Sequence, residues 1–144
     1  MFTPRRLDDT ISVAPQIAPQ DLAAIKAAGF VAVVNNRPDR EEPGQPDGDT
    51  IRAATEAAGL AYHAIPVGQD GLTPALLAAT AAVLADAGGP VLAYCRSGTR
   101  SCNLWALAAA QRGEAADALT AKAAGAGYDL TGLRGVLDRL AAGT

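Results

Sequence analysis

The sequence predicts an α/β fold in which a mostly parallel sheet of four to five strands lies between helices, in three layers. Short runs of apolar and β-branched residues alternate with alanine-rich stretches along the chain, a pattern typical of strand and helix repeats. Glycine or proline stands at most of the junctions between these runs, where such elements end. The length of 144 residues fits a single domain, 1–144, that can bury a core.

Four apolar runs predict strands. The run 11–13 is short and is closed by Pro15, so we expect an edge strand there. The run 30–34 is continuously apolar, as expected of a strand that is buried on both faces. The runs 60–67 and 90–94 complete the set, and we expect the last of them to be the central strand.

Alanine-rich stretches between these runs predict helices. The first two are expected at 21–28 and 49–58, because a glycine follows each of them. The third begins at a Thr-Pro pair typical of a helix start and extends over 74–87. The remaining helices are predicted at 101–111, 114–124 and 130–141. The segment 35–49 is a long loop rich in Pro, Gly and acidic residues, and such loops are usually functional or mobile.

The composition restricts the function. A net charge of −3 and a pI near 5.0 argue against general binding to nucleic acids or anionic membranes. One histidine and two cysteines cannot complete a zinc site without several carboxylates, so we expect neither a metal nor a cofactor. Two cysteines are typical of a reducing compartment, and no run of about 18 apolar residues occurs. We therefore expect a cytoplasmic protein.

The run from Cys95 to Ser101 is the strongest functional signal. It follows a predicted strand and precedes a predicted helix, so backbone N–H groups and the helix dipole converge on the turn between them. A cysteine in such positive potential ionises easily and becomes a nucleophile. We predict catalytic roles for Cys95, for Arg100 as a two-pronged oxyanion ligand and for Ser101 as a hydroxyl donor to the sulfur. The other loop residues are predicted to cradle the bound anion: Arg96, Ser97, Gly98 and Thr99.

Further residues can join this site. Asn36, Arg37 and Asp39 follow the strand 30–34 and are expected at the same rim of the sheet. They form either a polar wall, in which Arg37 adds positive charge, or a turn in which Asn and Asp bond their own backbone. Cys102 is either a small buried core residue or a resolving thiol for oxidised Cys95.

The pattern Cys-x-x-Gly-x-Arg-Ser resembles the active-site loop of single-domain rhodaneses. It also resembles the signature of tyrosine and dual-specificity phosphatases, with one residue missing between Gly98 and Arg100. The segments 33–39, 41–46 and 59–67 precede the loop in the order seen in dual-specificity phosphatases. Together, nearly all 144 residues resemble the phosphatase-like domain of the beta-lactamase-hydrolase-like proteins, a bacterial family named as phosphatase-like or as sulfur transferase.

The resemblance implies a dual-specificity-phosphatase-like fold. It also places Asp70 roughly where these phosphatases keep their general acid, whereas the residues themselves fit an ordinary turn at Gln69-Asp70-Gly71. A sulfur dioxygenase partner is a further implication of the resemblance.

We predict a rhodanese-like sulfurtransferase, in which a Cys95 persulfide passes sulfur from thiosulfate or a persulfide to a thiol or cyanide. The short loop is the reason, because it has fewer N–H groups and a smaller mouth than a phosphoryl group requires. The alternative is a phosphatase that acts on a phosphate ester through a phosphocysteine, with Asp70 as the acid. The third interpretation is a non-catalytic anion-binding or redox-sensor module.

Overall fold

The computed structural model describes residues 2–143. Within these residues the chain forms five strands and six α-helices. The strands are β1 (Arg5–Arg6), β2 (Ile11–Ala14), β3 (Ala32–Asn35), β4 (Ala61–Ala64) and β5 (Val91–Tyr94). The helices are α1 (Leu22–Ala27), α2 (Gly48–Ala57), α3 (Pro74–Asp86), α4 (Thr99–Gln111), α5 (Ala116–Gly125) and α6 (Arg134–Ala141). None of the helices in this part of the chain combines the length and the apolar character that crossing a bilayer requires.

The five strands form one sheet in the order β1-β2-β5-β3-β4. Only β1 and β2 pair antiparallel, and the other neighbours are parallel. Alternate strand residues point to opposite faces: Val13 and Val34 belong to the core that includes Trp105 of α4, whereas Val33 and Leu92 belong to the core with α1 and α2. The predicted three-layer, mostly parallel α/β fold with β5 at its centre is therefore confirmed.

Two strand predictions were wrong in detail. The run 11–13 is not an edge strand, because β1 pairs with β2 and forms the edge itself; β1 has only two exposed arginines and no apolar signal. The run 60–67 forms a regular strand only over Ala61–Ala64, because Pro66 has no N–H to donate. The N–H of Val67 still bonds the carbonyl of Asn36 at 2.9 Å, which keeps this segment beside β3.

Helix α4 begins at Thr99, two residues before the predicted start at 101. Gly98 is its N-cap and has φ of 93°, a left-handed conformation that glycine adopts readily. The turn is therefore tight, and Arg100 and Ser101 lie in the first helical turn directly beside the end of β5.

Candidate active site

The carboxyl ends of three neighbouring strands bring distant segments to one rim of the sheet. Gln16 follows β2, Asn36 follows β3 and Cys95 follows β5. Backbone hydrogen bonds join them, from Gln16 N to the carbonyl of Arg96 at 3.3 Å and from Asn36 N to that of Tyr94 at 2.8 Å. The segment after β3 and the Cys95 loop thus lie side by side, where ligands bind in open parallel sheets.

The Cys95 side chain lies at the base of the loop, and the residue is only 1% exposed. Its Sγ accepts a hydrogen bond from the N–H of Gly98 at 3.1 Å. The hydrogen bond to Glu41 is the main cause that raises the pKa of Arg100, and the charge of Cys95 is a smaller one, so the guanidinium lies near the same sulfur. A backbone donor and a helix N-terminus therefore meet at one sulfur atom with a guanidinium nearby, an arrangement that stabilises an anion.

Among the described residues the Ser101 hydroxyl makes no hydrogen bond to the Cys95 sulfur, so that prediction was wrong. The Ser101 hydroxyl donates instead to Asn36 Oδ1 at 2.7 Å. Asn36 Nδ2 in turn donates to the carbonyl of Ile65 at 2.8 Å. Ser101 sits in the first turn of α4 and faces β3, so its hydroxyl satisfies a buried amide and ties the helix to the sheet.

Arg37 does not present free positive charge at the rim, as the polar-wall interpretation required. It is 2% exposed, and its Nε donates to Glu41 Oε1 at 2.8 Å. Its Nη2 donates to Glu42 Oε1 at 3.0 Å, and its Nη1 to Gln16 Oε1 at 3.0 Å. A buried guanidinium requires such partners, so two carboxylates neutralise its charge inside the protein.

Asp39 fits neither the polar wall nor a turn closed on its own backbone, because its carboxylate bonds the backbone nine residues further along the chain. Its Oδ1 accepts a hydrogen bond from the N–H of Gly48 at 2.7 Å, and Gly48 is the first residue of α2. The carboxylate therefore satisfies one of the free N–H groups at that helix start, rather than facing Cys95.

Glu41 connects Arg37 to Arg100. Arg100 Nη1 donates to Glu41 Oε2 at 2.7 Å and Nη2 to Oε1 at 2.8 Å, while Nη1 also donates to the carbonyl of Val67 at 2.9 Å. The Arg100 hydrogen bond is the main reason that the pKa of Glu41 falls to about 2; burial opposes the shift and Arg37 adds to it. Glu41 occupies the Nη1–Nη2 edge of the guanidinium, and no hydrogen bond among the described residues uses Nε, so the Nε edge can meet an incoming anion.

The Glu41 bridge makes stability depend on pH. The pKa of the Glu41 carboxylate is about 2 in the folded protein, against an ordinary value of 4.5. The bridge therefore contributes fully to the free energy of unfolding above pH 4.5, and this contribution is lost as the pH falls towards 2. Glu41→Gln is expected to lower the melting temperature at pH 7 by a few degrees, and by progressively less between pH 5 and pH 2. Thermal melts followed by circular dichroism measure this.

The matched control for this experiment is Glu56→Gln, which changes an exposed carboxylate on α2. It is expected to melt like the unmodified protein throughout the same range. A Glu41→Gln deficit of equal size at pH 7 and at pH 2.5 would show that the ionised bridge is not its source.

The outer residues of the loop, Arg96, Ser97 and Thr99, are exposed. Arg96 Nη2 lies 3.5 Å from Glu42 Oε2, and the hydroxyls of Ser97 and Thr99 are 3.0 Å apart. A surface pair as long as Arg96–Glu42 contributes little to stability. Arg96 is therefore free to turn towards a ligand at small cost.

Asp70 lies in the turn that follows β4 and is exposed. Three cavities of about 400, 340 and 380 Å³ open side by side and all include Pro38. The first is lined by Arg100 and Gln69, the second by Asp70 and Gln69, and the third by Tyr62. Asp70 and Arg100 thus line adjoining parts of one groove, which suits a general acid as well as an ordinary turn residue.

Cys102 is fully buried in the core around α4. Burial and, secondarily, the charge of Cys95 raise the pKa of its thiol to about 12. Both cysteines are free thiols. A thiol that stays protonated is a poor attacking group, so the structure favours the core interpretation of Cys102 over the resolving thiol.

Three residues at the site were not identified from the sequence as part of it. Glu41 and Glu42 carry the signal of an acidic pair in a long loop, although nothing local shows which arginines they bind. Tyr128 donates its hydroxyl to the carbonyl of Ser97 at 3.0 Å across 31 residues of chain. No sequence pattern around Tyr128 indicates that contact.

Comparisons with known proteins place the chain in a family. The family model described as beta-lactamase hydrolase-like protein, phosphatase-like domain, matches residues 4–112. The beta-lactamase hydrolase-like protein of Agrobacterium fabrum is 39% identical over 112 residues, which cover 78% of this chain and 25% of that protein. Its counterpart in Xylella fastidiosa is 36% identical over 101 residues, covering 70% and 23%. The chain therefore spans about a quarter of the length of these relatives.

Solved structures agree with this assignment. A candidate phosphatase from Neisseria meningitidis superposes with a TM-score of 0.82 and 34% identity, over 94% of this chain and 96% of that one. TpbA from P. aeruginosa, solved in complex with phosphotyrosine, superposes with a TM-score of 0.66 and 19% identity, over 97% and 88%. The phosphatase-like fold is confirmed. These relatives support the phosphatase alternative and do not support the sulfurtransferase prediction.

Proposed function

We propose that this chain, which belongs to the family of the phosphatase-like domain of beta-lactamase hydrolase-like proteins, is a cysteine-dependent phosphatase that hydrolyses small phosphate monoesters. One observation carries the proposal. The Cys95 sulfur, the N–H of Gly98 and the guanidinium of Arg100 converge at the start of α4, on the central strand of the sheet. Such a site binds a tetrahedral oxyanion against a nucleophile.

In the proposed reaction the Cys95 thiolate attacks phosphorus in line with the ester oxygen. The bond from phosphorus to that oxygen breaks, and Asp70 gives its proton to the leaving alkoxide or phenoxide. A water molecule then attacks the phosphocysteine, its proton passes to the Asp70 carboxylate, and the bond from sulfur to phosphorus breaks. Orthophosphate leaves and the thiolate is restored, so no co-reactant other than water is consumed.

Arg100 and the loop N–H groups stabilise the charge that spreads over the phosphoryl oxygens. Glu41 holds the Nη1–Nη2 edge of Arg100, so the guanidinium is already oriented before a substrate binds. Glu41 also balances the charge of Arg100. A cation in the first turn of a helix is unfavourable, and the Glu41 carboxylate offsets that unfavourable interaction.

The groove beside the site favours an aryl phosphate among the small esters. Pro38 borders all three cavities, and Tyr62 and Pro66 line the cavity of about 380 Å³. An aromatic leaving group can pack on these apolar surfaces while its phosphoryl group reaches the loop. The phosphotyrosine bound by TpbA has this chemistry.

Asp70→Asn tests the proposed reaction through its leaving group. The variant is expected to lower kcat for phenyl phosphate by about a hundredfold, because phenoxide needs a proton as it leaves. Hydrolysis of p-nitrophenyl phosphate is expected to change far less, since the nitrophenolate leaves as a stable anion. Steady-state rates with both substrates measure this difference, and Asp86→Asn, an exposed carboxylate at the far end of α3, is the control.

Two results would contradict the proposal. Equal losses for both leaving groups would remove the acid role from Asp70. If the unmodified protein forms thiocyanate from thiosulfate and cyanide but hydrolyses neither phosphate ester, sulfur transfer would replace phosphate hydrolysis as its function. Both reactions use the Cys95 thiolate, so only such a side-by-side assay separates them.

A further inference from the structure

Tyr128 reaches the Cys95 loop from the turn after α5. Its hydroxyl donates to the carbonyl of Ser97 at 3.0 Å. A Cβ atom added to Gly98 would clash with that hydroxyl oxygen, so the tyrosine packs directly on the glycine that caps the start of α4. The family model ends at residue 112, and Tyr128 lies beyond the matched part of the chain.

The carbonyl that Tyr128 binds and the N–H that binds Cys95 belong to the same peptide unit. The Ser97 carbonyl accepts from Tyr128, and the Gly98 N–H donates to Cys95 Sγ at 3.1 Å. The C=O and N–H of a trans peptide are rigidly coplanar and point in opposite directions. Holding the carbonyl on one side therefore directs the N–H to the sulfur on the other, and it also polarises that N–H.

Because residue 98 is a glycine, the Ser97–Gly98 peptide needs the Tyr128 hydrogen bond to fix its orientation. Gly98 has φ of 93°, and glycine has a wide range of accessible backbone angles. Rotation of the preceding peptide would turn the partial negative charge of the Ser97 carbonyl oxygen towards the Cys95 thiolate, which is unfavourable. The Tyr128 hydrogen bond opposes that rotation.

Tyr128 is itself fixed and remains a donor. Its N–H bonds the carbonyl of Ala123 at 2.8 Å. The guanidinium of Arg5 lies 5.6 Å from its ring centroid and donates to the carbonyl of Ala126 at 3.0 Å. Burial raises the pKa of the Tyr128 hydroxyl, with Arg5 opposing the shift, so the hydroxyl keeps its proton at neutral pH.

We propose that Tyr128 is a positioning residue whose hydroxyl holds the Ser97–Gly98 peptide with its N–H on Cys95, and thereby sets the pH range in which Cys95 is a reactive nucleophile. The inference deepens the proposed function, since it rests on Cys95 as the attacking group. Its readout is thiol chemistry, so it can be tested without phosphatase turnover.

The test compares Tyr128→Phe with the unmodified protein. Phenylalanine keeps the ring and its contact with Arg5 and removes only the hydroxyl. The rate of alkylation by iodoacetamide is measured between pH 4 and pH 10 on the Cys95 peptide by mass spectrometry, with Cys102 counted separately. The midpoint of the Cys95 profile is expected to move up by about half to one pH unit, the size expected when one hydrogen bond to the loop is lost.

Thr120→Val is the matched control, because the Thr120 hydroxyl donates to the carbonyl of Ala116 within α5 and not to the Cys95 loop. Its Cys95 profile is expected to stay unchanged. Tyr128→Leu removes ring and hydroxyl together and is expected to shift the midpoint at least as far as Tyr128→Phe. If Tyr128→Phe keeps the original midpoint while Tyr128→Leu moves it, packing of the ring and not the hydroxyl is responsible, and the inference is overturned.

The two proposals fail separately. A shifted alkylation midpoint in a protein that hydrolyses no phosphate ester would support the role of Tyr128 and reject the phosphatase. Normal hydrolysis with an unshifted midpoint in Tyr128→Phe would support the phosphatase and reject the role of Tyr128.

Discussion

Replacing Cys95 by serine is expected to lower the rate of p-nitrophenyl phosphate hydrolysis by at least about a thousandfold. A serine hydroxyl at this place stays protonated, whereas the reaction needs an anionic nucleophile. The surrounding donors, the Gly98 N–H and the Arg100 guanidinium, cannot compensate, because they stabilise charge but do not attack phosphorus. Initial rates at saturating substrate measure the effect.

The same variant is expected to keep its affinity for orthophosphate within a few-fold. Arg100 and the loop N–H groups bind the oxygens of the anion, and Cys95→Ser leaves them in place. Calorimetric titration with orthophosphate therefore separates loss of chemistry from loss of the site. A non-catalytic binding module would instead bind phosphate in both proteins and hydrolyse the ester in neither.

Cys102→Ala provides the matched cysteine control. Cys102 is buried in the core, so alanine is expected to lower stability by about 1 kcal/mol and to leave the hydrolysis rate near that of the unmodified protein. Residual activity of Cys95→Ser within tenfold of normal would remove Cys95 as the nucleophile.

The sheet could be predicted from the sequence because consecutive residues mark each strand and the end of each early helix. Continuous apolar runs mark strands covered on both faces, and β3 and β5 are both fully buried. A glycine after each early helix stops it within a residue or two of the predicted place. The position of Cys95 at the end of the central strand followed from the same patterns.

The partners of the polar side chains could not be predicted in this way. Glu41 and Arg100 are separated by 59 residues, and Tyr128 lies 31 residues from Ser97. Such pairs form because the fold brings their elements together, and no spacing along the chain encodes them. Strand β1 is a similar case, since two exposed arginines become a strand only by pairing with β2.

The choice between a sulfurtransferase and a phosphatase also depends on contacts between residues that are distant in the chain. The number of residues in the loop suggested a mouth too small for a phosphoryl group. The surroundings of the anion also depend on residues outside the loop, since Glu41 sets the edge of Arg100 that is available and Tyr128 sets the direction of the Gly98 peptide. Counting loop residues therefore gives too little information to choose the anion.

Arg100→Lys is expected to lower kcat/KM for p-nitrophenyl phosphate by about a hundredfold to a thousandfold. Lysine keeps the positive charge but is a single point charge, whereas arginine offers two parallel donors to Glu41 and a further edge to the anion. The control is Arg134→Lys on α6, where the arginine pairs with Asp117 and Asp138 at the surface. That variant is expected to keep normal activity, and steady-state kinetics measure both.

Part of the Arg100→Lys loss is expected to come from Glu41. Once the two-pronged bridge is gone, an ionised carboxylate faces the bound phosphoryl group without its former partner and repels it. Adding Glu41→Gln to Arg100→Lys is therefore expected to restore part of kcat/KM, whereas Glu41→Gln alone lowers it by leaving Arg100 unoriented. This reversal of sign is a coupling that a double-mutant cycle detects. Strictly additive losses would mean that Glu41 neither orients Arg100 nor competes for the anion.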